Sequence, residues 1–243
     1  MTVGDYIFHI ADSKKTLVSY TGSDTELCLP DCPGGGEYEI GNRVFKSMRE
    51  ITSVHIPAGV TAIGIEAFRE CYGLKSLTLP DSVKVISEGA FLGCGFTSFD
   101  MGNGVMSIGR RAFRGCGKLE SISMSESLEI IGDEAFSGCY KVDLDIPSSV
   151  KTIGYSAFSG CFELSRVVIP DGVTVIENKV FDNCQSLVSV VIPDSVIKIK
   201  DAFYACPLLE SIYYKGTEAE WNKITLDYNN GLFIKVKITY NFN

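Results

Sequence analysis

Histidine is scarce in this chain, with only His9 and His55 among 243 residues. A Ser-His-Asp or Cys-His arrangement needs an imidazole beside a nucleophile and an orienting acid. Ser76, one repeat on from His55, is close enough in principle, but serine recurs at that position, so the repeat itself explains it. An enzyme is therefore not expected, and no cofactor is implied. Basic charge is in deficit: Lys and Arg number 22 against 30 Asp and Glu, a net charge of −8. The densest basic cluster, Arg110, Arg111, Arg114 and Lys118, surrounds one turn and reads as a solvated edge, so nucleic acid is not an expected partner. No apolar run approaches the roughly 20 residues that a helix needs to cross a bilayer. The first ten residues lack both the charged and the long apolar regions of a signal peptide. Gly34-Gly35-Gly36 lacks the lysine and the strand–loop–helix setting of a phosphate cradle. It reads instead as a four-residue insertion in an irregular first coil.

What the chain has in quantity is periodic apolar residues, in a composition that is 45% hydrophobic. An Ala-Phe or Val-Phe pair places Phe45, Phe68, Phe91, Phe113, Phe136, Phe158, Phe181 and Phe203 at steps of 22 or 23 residues. A period of this length marks a solenoid, in which each coil buries its apolar side only by stacking on its neighbours. Within a repeat, Leu77 and Leu79 alternate with Ser76 and Thr78, the period-2 pattern of a short half-buried strand. Pro30, Pro57, Pro80, Pro147, Pro170 and Pro193 close that strand, because proline cannot continue a ladder. Gly102 and Ser125 stand there in the third and fourth copies.

An inward pair follows, such as Val83 and Ile86. Then comes a column of glycines (Gly41, Gly64, Gly109, Gly132, Gly154) that calls for positive φ or close approach between coils. The Ala-Phe segment is too short for a lone helix and is expected to form a tight turn or a single helical turn held by Phe stacking.

Cys71, Cys94, Cys116, Cys139, Cys161, Cys184 and Cys206 lie three residues after successive phenylalanines. A residue returning once per coil stacks on its own copies, and free cysteine packs as a small apolar group, so a ladder of buried thiols is expected. Oxidation of some adjacent rungs stays open. Cys28 and Cys32 lie outside the ladder, where a disulfide is an open alternative.

The string L-x-S-L-x-L-P-x-S-V-x-x-I-x-x-x-A-F-x-x-C resembles the BspA-like, or Treponema pallidum type, leucine-rich repeats over roughly residues 25–214. The segment Tyr213-Tyr214-Lys215-Gly216-Thr217-Glu218-Ala219-Glu220-Trp221 is similar to the one that closes such arrays. The resemblance implies an α/β-class leucine-rich repeat solenoid, mostly β in content. It would be right-handed and curved, with a parallel sheet on the concave face. It also implies a binding protein of the cell surface or secreted space. A reduced thiol ladder fits the cytoplasm as well.

One domain, 1–243, is expected. Residues 1–26 cap it through a hairpin of Tyr6-Ile7-Phe8-His9-Ile10 and Thr16-Leu17-Val18-Ser19-Tyr20, joined by 11–15. About eight repeats fill 27–214. Residues 215–243 close it with a capping box at Thr217-Glu218-Ala219-Glu220 and a strand in which Ile234, Val236, Ile238 and Tyr240 alternate with Lys235, Lys237 and Thr239.

Function should sit on the outward positions of the repeated strand, where equivalent side chains stand about 4.8 Å apart. The serine-rich column looks structural. The candidates for ligand contact are His55, Thr78, Asp100, Ser123, Asp143, Asp145, Arg166, Val168, Val191 and Tyr213, with an acidic middle and an apolar C-terminal stretch. Asp143 and Asp145, without a loop of further ligands, make a weak cation site. Two readings follow: a monomeric binding module for a protein or glycan, and a structural spacer or intracellular scaffold without a ligand site.

Overall fold

The computed structural model describes residues 1–227 and 236–242. With one exception at residues 143–145, each coil contributes a first strand, a second strand and the Ala-Phe or Val-Phe turn. First strands include Ser53–His55, Ser76–Thr78, Ser98–Asp100, Ser121–Ser123, Arg166–Val168, Ser189–Ile192 and Ser211–Tyr214. Their pairings are parallel and in the register of the repeat, as in Ser98 opposite Ser121 and Asp100 opposite Ser123.

The second strands were not anticipated. They coincide with the inward pair, in Val60–Ile63, Val85–Ile86, Ser107–Ile108, Ile130–Ile131 and Thr152–Ile153, and they form the most continuous sheet of the molecule. A spacing of three between apolar residues hides a two-residue strand, because its burial lacks the period-2 signature.

The first column is less continuous than expected. It divides into Glu26–Cys28 with Ser53–His55, then Ser76–Thr78 to Ser121–Ser123, then Arg166–Val168 onward. Residues 143–145 belong to no strand, so the two aspartates do not sit on the ladder rung assigned to them. Aspartate is a poor strand former, and two of them face outward here.

At the turn, alternate backbone groups bond in two directions. The amides of Ala67, Arg69 and Cys71 donate to carbonyls three residues back, whereas those of Glu66, Phe68 and Glu70 donate to Glu88, Ala90 and Leu92 of the next coil. No helix forms. Residues two before and two after Phe take positive φ, as at Glu66 (53°) and Glu70 (62°), in all repeats but the last, where only Ala205 does. The glycine column is elsewhere and serves close approach alone: a Cβ on Gly132 would stand 2.8 Å from the Arg110 nitrogen.

The eight phenylalanine rings form one unbroken stack with centroids 4.9 to 5.7 Å apart. Beside them the seven ladder cysteines are buried and free. Each thiol donates to the carbonyl of the Phe one coil back, as Cys71 to Phe45 at 3.1 Å and Cys206 to Phe181 at 3.0 Å. Each of these carbonyls also accepts the amide three residues on, as Phe45 does from Met48, so the thiol is a second donor to a buried oxygen with two lone pairs.

Strands Tyr6–Ala11 and Lys14–Tyr20 pair antiparallel, and the latter pairs in parallel with Tyr38–Ile40. Their turn is only Asp12 and Ser13, both with positive φ, and is shorter than the five residues allotted to it. Gly34-Gly35-Gly36 lies in the turn preceding Tyr38–Ile40. At the other end Thr217 caps the helix Glu218–Trp221 in a complete capping box. Trp221 meets the Tyr214 ring edge-on at 5.2 Å. Strand Lys237–Thr239 pairs with Ser211–Tyr214. Ile234 and Lys235 lie outside the described residues.

Candidate functional site

The first strands hold their short side chains outward because the alternate residues, such as Leu77, Phe99 and Val167, are buried in the core. Of the predicted contact residues, His55, Thr78, Ser123, Asp143, Asp145, Arg166 and Val168 are exposed. Three differ. Asp100 is half-buried, and its Oδ1 accepts the Gly102 amide at 3.0 Å, so it closes its own turn. Tyr213 is half-buried with its ring 4.7 Å from that of Phe242. Val191 is 2% exposed, set in register between Val168 and Tyr213, and offers no surface to a ligand.

The structure brings Ser123, Asp143 and Asp145 together in one open groove of about 390 Å³, with Met124, Glu126 and Pro147. A second groove, lined by Asp143, Asp145, Ser165, Arg166 and Val168, adjoins it. Glu126 and Met124 were missed, because they follow the strand rather than lie on it. Three carboxylates, one guanidinium and an exposed valine thus share one continuous surface, which suits a partner with basic and apolar groups. The N-terminal candidates line a further shallow groove, where His55 and Thr78 stand with Glu26, Cys28, Ser53 and Ser76, and a groove along Thr78, Asp100 and Ser123 joins it to the acidic one.

Little here resembles a reaction centre. His55 and Ser76 share that groove without a hydrogen bond between them, and His9 lies exposed on a strand of the N-terminal hairpin. Burial pushes the Cys71 and Cys161 thiols up to about 12, which removes the thiolate needed for attack. Cys28 is exposed. Cys32 is buried and donates to the Glu37 carbonyl at 3.3 Å, and the two are not bonded to each other. Among the described residues, no three His, Cys, Asp or Glu side chains are placed to hold a metal ion, and no helix is long and apolar enough to cross a membrane.

The opposite, turn-side edge carries ion clusters. Arg110, Arg111 and Arg114 converge on Glu134 at 3.5, 2.8 and 3.1 Å. Arg43, Lys46 and Arg69 converge on Glu66 at 2.8, 2.8 and 2.6 Å. Each carboxylate links neighbouring coils, so the basic cluster flagged in the sequence is largely engaged in stapling turns.

The model of the BspA type leucine rich repeat region matches residues 38–164 and 106–233, with six copies. A leucine-rich repeat protein from Bacteroides ovatus is 26% identical, with a TM-score of 0.71, over 100% of this chain and 71% of that one. The T. pallidum leucine rich repeat protein is 21% identical, with a TM-score of 0.59, over 100% of this chain and 99% of that one, and shares the fold. No curated protein matches the chain. With the strand–proline–turn repeat, the phenylalanine stack and a matching family model spanning most of its length, the chain belongs to the BspA-type leucine-rich repeat family.

Proposed function

We propose that this chain is a monomeric, non-enzymatic binding module of a cell-surface or secreted protein, serving adhesion or protein–protein interaction through its first-strand face. The whole chain, 1–243, acts as one domain whose ends, 1–26 and 215–243, cap the repeats. The observation that carries the reading is the contiguous exposed surface of Ser123, Asp143, Asp145, Arg166 and Val168, with Glu126 at its margin. These side chains add nothing to the core, and their chemistry varies from coil to coil while the residues beneath them stay apolar. The ligand is a protein, or a glycan bearing basic groups. The test is binding of the purified chain, beside an Asp143→Lys, Asp145→Lys variant of equal melting temperature, to extracellular-matrix proteins, host-cell surface proteins and glycans. Selective binding by the parent alone supports the module. No binding gives the spacer or scaffold instead, and binding indifferent to the substitutions moves the site to the turns.

A further inference from the structure

Both strand ladders are interrupted at the same junction. In the first column, residues 143–145 pair with neither Ser121–Ser123 nor Arg166–Val168. In the second, Thr152–Ile153 pairs back to Ile130–Ile131, and Val175–Ile176 pairs forward to Lys198–Ile199, but the two do not pair with each other. Adjoining steps show what is missing. Lys151 N–H donates to the Glu129 carbonyl and Ile197 N–H to the Thr174 carbonyl, each at 2.9 Å. Among the described residues no equivalent bond runs from Thr174 to Lys151.

A side-chain staple is absent here as well, as it is at Gly59 and Gly104, where the second strands nonetheless pair. Ser82, Ser149 and Ser195 each donate a hydroxyl to a core carbonyl one coil back, on Val60, Leu128 and Val173, at 2.7, 2.7 and 2.8 Å. The matching residue at the junction is Gly172, whose missing Cβ would stand 3.1 Å from the Val150 carbonyl oxygen. Ion pairs tie each side to itself, Lys151 to Glu129 at 3.0 Å and Lys215 to Asp171 at 2.6 Å. None among the described residues crosses.

What does cross lies along the turn edge. The amides of Ser156, Phe158 and Gly160 donate to Asn178, Val180 and Asp182 at 3.1, 2.9 and 2.8 Å. The Phe158 and Phe181 rings stack at 5.7 Å, those of Tyr140 and Phe162 at 4.9 Å.

We propose that the solenoid is two rigid blocks hinged along this turn edge, and that motion of the hinge opens and closes the groove between Asp143, Asp145 and Arg166. A junction bonded on one side only is free to gape on the other. Closing it would bring Asp143 into register with Arg166, as Arg166 already is with Ser189. That step of the ladder would then carry an opposite-charge cross-strand pair. In the present structure the two charges line the groove without an ion pair between them. A partner seated there selects one width of the groove. The hinge itself needs no partner, so it stands or falls apart from the binding proposal.

The test is amide hydrogen exchange of the intact parent and of a Gly172→Ser variant. That substitution supplies the absent hydroxyl to the Val150 carbonyl without touching the first strands. In the parent, residues 143–146 and 165–168 should exchange at least about tenfold faster than the equivalent residues 121–123 and 189–191. Gly172→Ser should slow both junction segments together. Equal protection in the parent, or junction exchange in the variant as fast as in the parent, overturns the hinge.

Discussion

Replacing Phe136 by alanine tests the stack at its middle. The ring is fully buried, lies 5.2 Å from Phe113 and 5.5 Å from Phe158, and is parallel to them within 5° and 1°. Removing a buried phenylalanine side chain costs about 3–5 kcal/mol through lost transfer energy and the cavity left behind. Both ring contacts, about 0.5–1.5 kcal/mol each, vanish with it, which puts the cost in the upper part of that range. The site relaxes poorly, because coils above and below are held apart by their own turn bonds. For a chain of this size each kcal/mol moves the melting temperature by about 2–4 °C, so a drop of about 8–20 °C is expected. Circular-dichroism melting and urea titration measure it, with Tyr140→Ala as a control: that ring is 48% exposed and stacks only on Phe162. Hydrogen exchange should show the loss concentrated in the adjoining coils, since stability in a stack is nearest-neighbour. A Phe136→Ala chain melting within about 2 °C of the parent would refute the buried stack.

Other consequences are equally open to measurement. Titration of the folded chain with a chromogenic disulfide should find one fast thiol, the exposed Cys28, and release the buried ones only on unfolding; three or more fast thiols, more than Cys28 and Cys32 can supply, contradict the ladder. Lys46, Arg69 and Arg43 hold the Glu66 carboxyl at about 2 instead of 4.5. The folded state therefore resists protonation there, and the stabilisation is complete above pH 4.5 and fades as pH falls toward 2. Glu66→Gln should lower the melting temperature at pH 7, by a margin that shrinks across that window; a margin constant with pH removes the ionic explanation. Gly132→Ala should destabilise by about 1–3 kcal/mol in denaturant unfolding, because its methyl meets the backbone of Ile108, Gly109 and Arg110 within 2.9 Å. A neutral result there would show that the coils can separate.

The solenoid was legible because a 22–23-residue period with a fixed core residue leaves few alternatives, and the Phe and Cys columns landed where their spacing put them. The second strand column was not, since two-residue strands carry no period of their own and are made by the coil beside them. Glycine at Gly64 and Gly132 could be read as either of two demands, and only the distances to the neighbouring backbone select close approach. The candidate face was partly legible. Alternation shows which side chains point outward, but the burial of Val191 and the engagement of Asp100 and Tyr213 depend on what lies one coil away or on the C-terminal segment. The gap at residues 143–145 had one cue, two aspartates in a strand position, and its coincidence with the break between Thr152–Ile153 and Val175–Ile176 is visible only once the coils are stacked.

Carboxyl labelling with and without a bound partner, read by mass spectrometry, tests the central claim most directly, because it reports both faces of the solenoid at once. Protection of Asp143, Asp145 and Glu126, with Glu88 on the turn edge labelled as before, is the result that the first-strand face predicts. Protection of Glu88 while Asp143 and Asp145 stay fully reactive would move the binding surface to the turns and contradict it.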